Sequence, residues 1–141
     1  MNNLQKKASV GILACIGSIG VVANSSAEFY ISAFDNGTAF TQLLENDNKA
    51  ALLALSEDQT ANRNYADNNN LCVSQILSTE YTGAIDSCEK ALSTVPSRSI
   101  YDTRRQKSKI YTNLAVAKAL AGDHNGAIAD LKKSLNIDNR N

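Results

Sequence analysis

The sequence predicts an all-α protein built from antiparallel helix pairs, and three observations predict it. Apolar residues recur at three-and-four spacing through most of the chain beyond residue 36, with no run of alternating strands. Glycine and proline are scarce, 7 and 1 among 141 residues, so few breakers interrupt those runs. An alanine that opens a helix after a short turn returns at Ala51, Ala84 and Ala127, which marks an internal repeat. At this length the chain holds one small domain at most.

The head is set apart first. MNNLQKK carries Lys6 and Lys7, ASVGILACIGSIGVV runs fifteen residues without a charge, and ANSSA ends in small residues. A positive n-region, a short apolar h-region and a small-residue exit are the parts of a secretory signal peptide, so residues 1–27 are predicted to be cleaved after Ala27. The apolar run falls short of the roughly 20 residues that span a bilayer. The alternative is a lipid anchor at Cys15, in ILAC; against it, IGSIGVV continues the apolar stretch instead of becoming a polar tether. The expected compartment is periplasmic or secreted, with no stable membrane anchor after cleavage. Losing Lys6 and Lys7 from 14 basic residues leaves 12 against 14 acidic ones, a net charge near −2. That balance gives no electrostatic reason to expect nucleic acid.

Residues 28–35 read as an extended segment and 36–141 as the helical domain. TAFTQLLENDNKAALLAL gives a helix ending near Leu44, an END turn, and a second helix with Ala51, Leu52 and Leu55 inward. YADNNNLCVSQILS places Leu71, Cys72, Gln75 and Ile76 at helical spacing, although its asparagine run is a poor helix former. In EYTGAIDSCEKALSTVP the face is Tyr81, Ala84, Ile85, Cys88, Ala91, Leu92 and Val95, and Pro96 stops the helix by pushing its predecessor out of helical geometry. KIYTNLAVAKAL aligns Ile110, Tyr111, Leu114, Ala115 and Lys118. Gly122 then suits a left-handed C-cap and Asp123 an N-cap for a helix burying Ala127, Ile128, Leu131 and Leu135. The alanine spacings are 33 and 43. The extra length falls on SIYDTRRQK, 99–107, where Ser99 and Asp102 have capping-box spacing, so the insertion is expected to lengthen the first helix of the last pair.

NLCVSQILSTEYTGAIDSCEKALSTVP resembles a tetratricopeptide repeat (TPR) at Asn70, Leu71, Cys72, Tyr81, Ala84, Cys88, Ala91 and Pro96. NLAVAKALAGDHNGAIADLKKSLNID resembles another at Asn113, Leu114, Ala115, Gly122, Asp123, Ala127 and Leu131. It departs at Lys118, where a large apolar residue is usual, at Asn139, where proline is usual, and at Ser134, which replaces a small alanine. The first pair matches only at its turn and second helix and reads as degenerate. The resemblance implies a short right-handed α-α superhelix of about three pairs whose first helices line a concave groove. By register the groove residues are Asn69, Asn70, Val73, Ile76 and Leu77, then Lys109, Thr112, Asn113, Val116, Ala119 and Leu120. In peptide-binding relatives asparagines at the positions of Asn70 and Asn113 hydrogen-bond an extended backbone; they also occur as general structure.

Cys72 and Cys88 lie eight residues to either side of the turn at Thr79–Glu80, so they stand at one height across the pair. In an exported chain a disulfide is the expected outcome, and two buried free thiols are the alternative. Two cysteines and one distant histidine make no zinc site. Arg98, Arg104, Arg105 and Lys107, beside Lys109, form a basic cluster that is either a solvated helix end or a receptor for an acidic partner. The one histidine, His124, sits in a turn. Glu45 and Asp47 occupy another, where acids cap helices. No nucleophile elbow or phosphate loop is present. The expectation is a non-enzymatic adaptor without a cofactor, taking a protein or peptide partner. A self-associating envelope subunit is the alternative, since nothing caps the last repeat; a hydrolase is the weakest reading.

Overall fold

The computed structural model describes residues 4–11, 26–57, 63–97 and 100–138. Two strands, β1 (Leu4–Gly11) and β2 (Ser26–Ala33), precede six helices: α1 (Phe40–Leu44), α2 (Asn48–Glu57), α3 (Tyr65–Leu77), α4 (Tyr81–Thr94), α5 (Ile100–Leu120) and α6 (His124–Asp138). The described chain is mostly helical, as the periodicity predicts. Each helix packs on the next along the chain, and β2 lies across α3 and α5.

The three turns that close the helix pairs share one hydrogen-bond pattern. Asn46, Thr79 and Gly122 each take a left-handed conformation, at φ 62°, 63° and 91°. In each turn that residue's N–H bonds the carbonyl three back: Leu43, Ile76 and Ala119. The next N–H bonds the carbonyl five back, from Asp47, Glu80 and Asp123 to Gln42, Gln75 and Lys118. This pair of bonds is the Schellman closure, which satisfies carbonyls a helix end leaves orphaned. Ala51, Ala84 and Ala127 then make equivalent first-turn bonds, to Asp47, Glu80 and Asp123. The repeat seen in the alanines is therefore a repeat of turn geometry at the same spacings of 33 and 43.

The inserted residues lengthen α5 to 21 residues against 13 in α3. Pro96 acts as expected: Val95 is extended, at ψ 118°, and α4 ends at Thr94. Asn64 caps α3, accepting from the N–H groups of Ala66 and Asp67. Cys72 and Cys88 form a disulfide, with Sγ atoms 2.13 Å and Cα atoms 5.3 Å apart, pinning α3 to α4 at the height the turn symmetry implies. Ser134 lets α6 approach α5 closely, and its hydroxyl donates to the Ser108 carbonyl at 2.8 Å. Lys118, the departure from the apolar pattern, bonds the buried Asp130 carboxylate at 2.7 Å, so an ion pair stands where apolar contact was expected. Ile31, Leu43, Leu55, Val73 and Ile110 are fully buried and join strand, first pair, second pair and α5 into one core.

The strands were not foreseen. β1 runs antiparallel to β2 in a register that sets Leu4 opposite Ala33 and Gly11 opposite Ser26, and β2 passes through the predicted cleavage position at Ala27. Cys15 and most of the apolar stretch, together with Arg98, Ser99 and Asn139, lie outside the described residues.

Candidate peptide-binding groove

α3 and α5 present a row of side-chain amides, and the chain's own segment Ile31–Thr38 lies on it. Asn113 of α5 accepts the Ser32 N–H through Oδ1 at 2.8 Å and donates through Nδ2 to the Ser32 carbonyl at 2.8 Å. Asn69 of α3 donates to the same carbonyl at 2.8 Å and accepts from Asn113 at 2.9 Å, tying the two helices together. Asn70 repeats the arrangement two residues along: Oδ1 accepts the Phe34 N–H at 2.8 Å and Nδ2 donates to the Phe34 carbonyl at 2.9 Å. Nδ2 of Asn70 also reaches the Thr38 carbonyl at 3.0 Å, and Asp67 accepts the Thr38 N–H at 2.6 Å.

The spacing has a simple cause. Residues i and i+2 of a strand present their backbone groups on the same edge, separated by two rises of about 3.3 Å. An amide side chain offers one donor and one acceptor, as a strand residue does. Asn113 and Asn70 thus act as two rungs of a strand edge built from helices. Since Ser32 spends both backbone groups on α3 and α5, β1 pairs with the other edge, through the alternate residues.

This also explains the asparagine run. Three successive asparagines are costly in a helix, each by about 0.6 kcal/mol relative to alanine. Here Asn68 bonds the Arg63 carbonyl, and Asn69 and Asn70, both fully buried, bond the extended segment. An unpaired buried amide would cost more than the propensity deficit, so tertiary bonding decides the helix.

Side chains select as well as backbone. Ile31, Ala33 and Phe34 are buried, and the Phe34 ring meets the Tyr65 ring edge-on at 5.6 Å. The Tyr65 hydroxyl accepts from Asn36 at 3.0 Å and Gln106 at 2.8 Å. Gly37 crosses directly over α3: a Cβ there would stand 2.7 Å from Asn70 Nδ2 and 2.8 Å from the Ala66 carbonyl group. Burial lowers the Lys109 pKa, and the neighbouring Arg105 lowers it further, against the opposing charge of Asp35.

Of the predicted groove residues, Asn69, Asn70 and Asn113 therefore meet on the segment. Val73, Ile76 and Val116 are buried in the core, while Leu77, Lys109, Ala119 and Leu120 are half-buried. Thr112 is directed elsewhere; its hydroxyl bonds the Ser108 carbonyl and Ser134, within the last pair. Sequence reasoning missed Tyr65, Asp67 and Gln106, and it missed the occupant. A signal for the occupant was present in FYISAF, an aromatic and β-branched run of strand character. Arg104 and Lys107 are half-buried and Arg105 exposed on the first half of α5; Arg98 lies outside the described residues.

The residues weighed for chemistry serve other ends. His124 is exposed at the start of α6, and Asp47 caps α2 by accepting the Ala50 N–H at 3.0 Å. Among the described residues no three of His, Cys, Asp or Glu cluster as metal ligands would, and no helix is long and apolar enough to cross a membrane. An open depression of about 650 Å³ lies against α2 and α3, lined by Leu52, Leu53, Leu71 and Gln75 among others. No protein-family model matches the chain, and neither a curated protein nor a solved structure is detectably similar to it.

Proposed function

We propose that this chain is an exported, TPR-like interaction module that binds an extended segment of a protein or peptide partner in the groove between α3 and α5. The amide row carries the reading: Asn70 and Asn113 each take both backbone groups of one residue of the chain's own extended segment, an arrangement that suits the backbone of an extended peptide. The right-handed superhelix is part of the proposal and is supported by the shared turn geometry of the three pairs. Export is supported by the leader pattern of residues 1–27 and by the Cys72–Cys88 bridge, since disulfides persist in oxidising compartments. A non-enzymatic role fits the capping use of Asp47 and the exposed, turn-proximal His124.

A photocrosslinking residue at Leu120, a groove position by the repeat register, and one at Lys132, on exposed α6, test this in the native envelope. One protein captured from Leu120, absent from Lys132 and competed by unlabelled chain, is the expected result. Equal capture from both positions would refute groove binding. The mass of the exported chain tests the leader: it should begin at Glu28.

A second reading is self-assembly through α6, favoured by one observation. Against the buried face expected of α6, Ile128, Leu131 and Leu135 are 52%, 43% and 60% exposed along one stripe, and only Ala127 of that face is buried. Of the residues 43 positions earlier, Cys88 is buried in the core and Ile85 and Leu92 pack against it. Sedimentation over a range of concentrations tests it: association abolished by Leu135→Asp supports it, and a monomer throughout excludes it.

A further inference from the structure

We infer that segment Ile31–Thr38 is a displaceable resident of the groove and the template for its partner. The external ligand is then an extended segment with an aliphatic residue, a small residue and an aromatic at the places of Ile31, Ala33 and Phe34, an acid next, and glycine at the place of Gly37. The inference rests on the interaction-module reading and names the class of partner for that site.

Three features carry it. First, the amides hold Ser32 and Phe34 only through backbone atoms, so any chain of the same shape satisfies Asn69, Asn70 and Asn113 equally well. Second, the fit is restrictive where side chains enter. Ile31 is wholly buried, Phe34 packs on Tyr65, and nothing larger than glycine passes over Ala66 at position 37. Asp35, Arg105 and Lys109 line one small depression, which favours an acid after the aromatic. Third, the segment ends at a strained joint. Ala39, directly after Thr38, is held at φ 65° without being glycine, so the segment joins α1 through a backbone conformation that alanine rarely adopts. A segment tethered this way competes at the high effective concentration of an intramolecular ligand, so a partner enters by matching its pattern.

The test uses the full chain and a fluorescent peptide of residues 28–38, EFYISAFDNGT. Gly37→Val and Ser32→Pro alter only the resident, by crowding Ala66 and by removing the N–H that Asn113 accepts. Each variant, helical by circular dichroism, should bind the peptide at least tenfold more tightly than the unaltered chain does. A peptide with valine at the glycine position should bind at least tenfold more weakly. Folded variants that bind the peptide no better than a scrambled one would overturn the inference.

Hydrogen exchange on the unaltered chain decides independently of how the variants fold. The Ser32 and Phe34 amides should show protection at least tenfold lower than Val73 and Leu114. Equal protection at all four would mean the segment leaves only when the whole domain unfolds, and the inference falls. A chain whose segment opens but which captures no envelope partner sinks the module reading alone. A groove-captured partner with a segment that never opens separately sinks this inference alone.

Discussion

Replacing Asn113 by alanine removes three buried hydrogen bonds at one point of the fold. The Ser32 N–H loses its acceptor, the Ser32 carbonyl loses one of two donors, and Asn69 Oδ1 loses its donor from α5. The carbonyl keeps Asn69 Nδ2, so its loss is small. The orphaned N–H is the larger penalty, about 1–3 kcal/mol for a buried donor without a partner, and the Asn69 acceptor adds about 1. The expected destabilisation is therefore about 2–4 kcal/mol, a large share of the roughly 5–15 kcal/mol that holds a small domain folded. Urea unfolding of the full chain, followed by far-UV circular dichroism, measures it through the midpoint and slope. Asn125→Ala, at an exposed position, should stay within about 0.5 kcal/mol of the parent. If Asn113→Ala matched that control, the amide row would not be holding the segment.

Thr79→Gly should stabilise the protein by about 1 kcal/mol, because a β-branched residue occupies a left-handed position that Gly122 fills freely at the equivalent turn; the same urea titration reads it. Reducing the Cys72–Cys88 bridge, which closes a loop across a separation of 16 residues, should cost about 3 kcal/mol. Unreduced protein should take up no thiol label at those two positions. The Asp130 pKa responds first to burial, which raises it, but hydrogen bonds from Lys118 and Lys133 and their charges prevail and hold it low. A lowered folded-state pKa means its stabilisation is complete above the unfolded carboxylate value, about 4, and drains away as pH falls through the folded value. Asp130→Asn should therefore flatten the loss of stability below about pH 4, measured as urea midpoint against pH.

The helix pairs were legible because their information is local. A period of three and four, an alanine at fixed phase and a proline after Val95 act within a few residues, and the backbone obeys them in place. The meeting of Cys72 and Cys88 was legible for the same reason, since residues equidistant from a tight turn stand at one height; that they would bridge was expected only from the leader pattern. Asn69, Asn70 and Asn113 could be picked from the sequence through the resemblance, but not what they touch. That contact joins Ser32 to Asn113 across 81 residues, and no local pattern encodes a pairing at such separation. Lys118 looked like a flaw in an apolar face until Asp130, twelve residues on and buried, supplied its counter-charge. The sequence by itself determined the helices, their turns and the cysteine pairing. Only the tertiary structure decided that the groove is filled by residues 31–38. Backbone groups in an extended segment need partners, and the side-chain amides of two helices are what the fold brings within 3 Å of them.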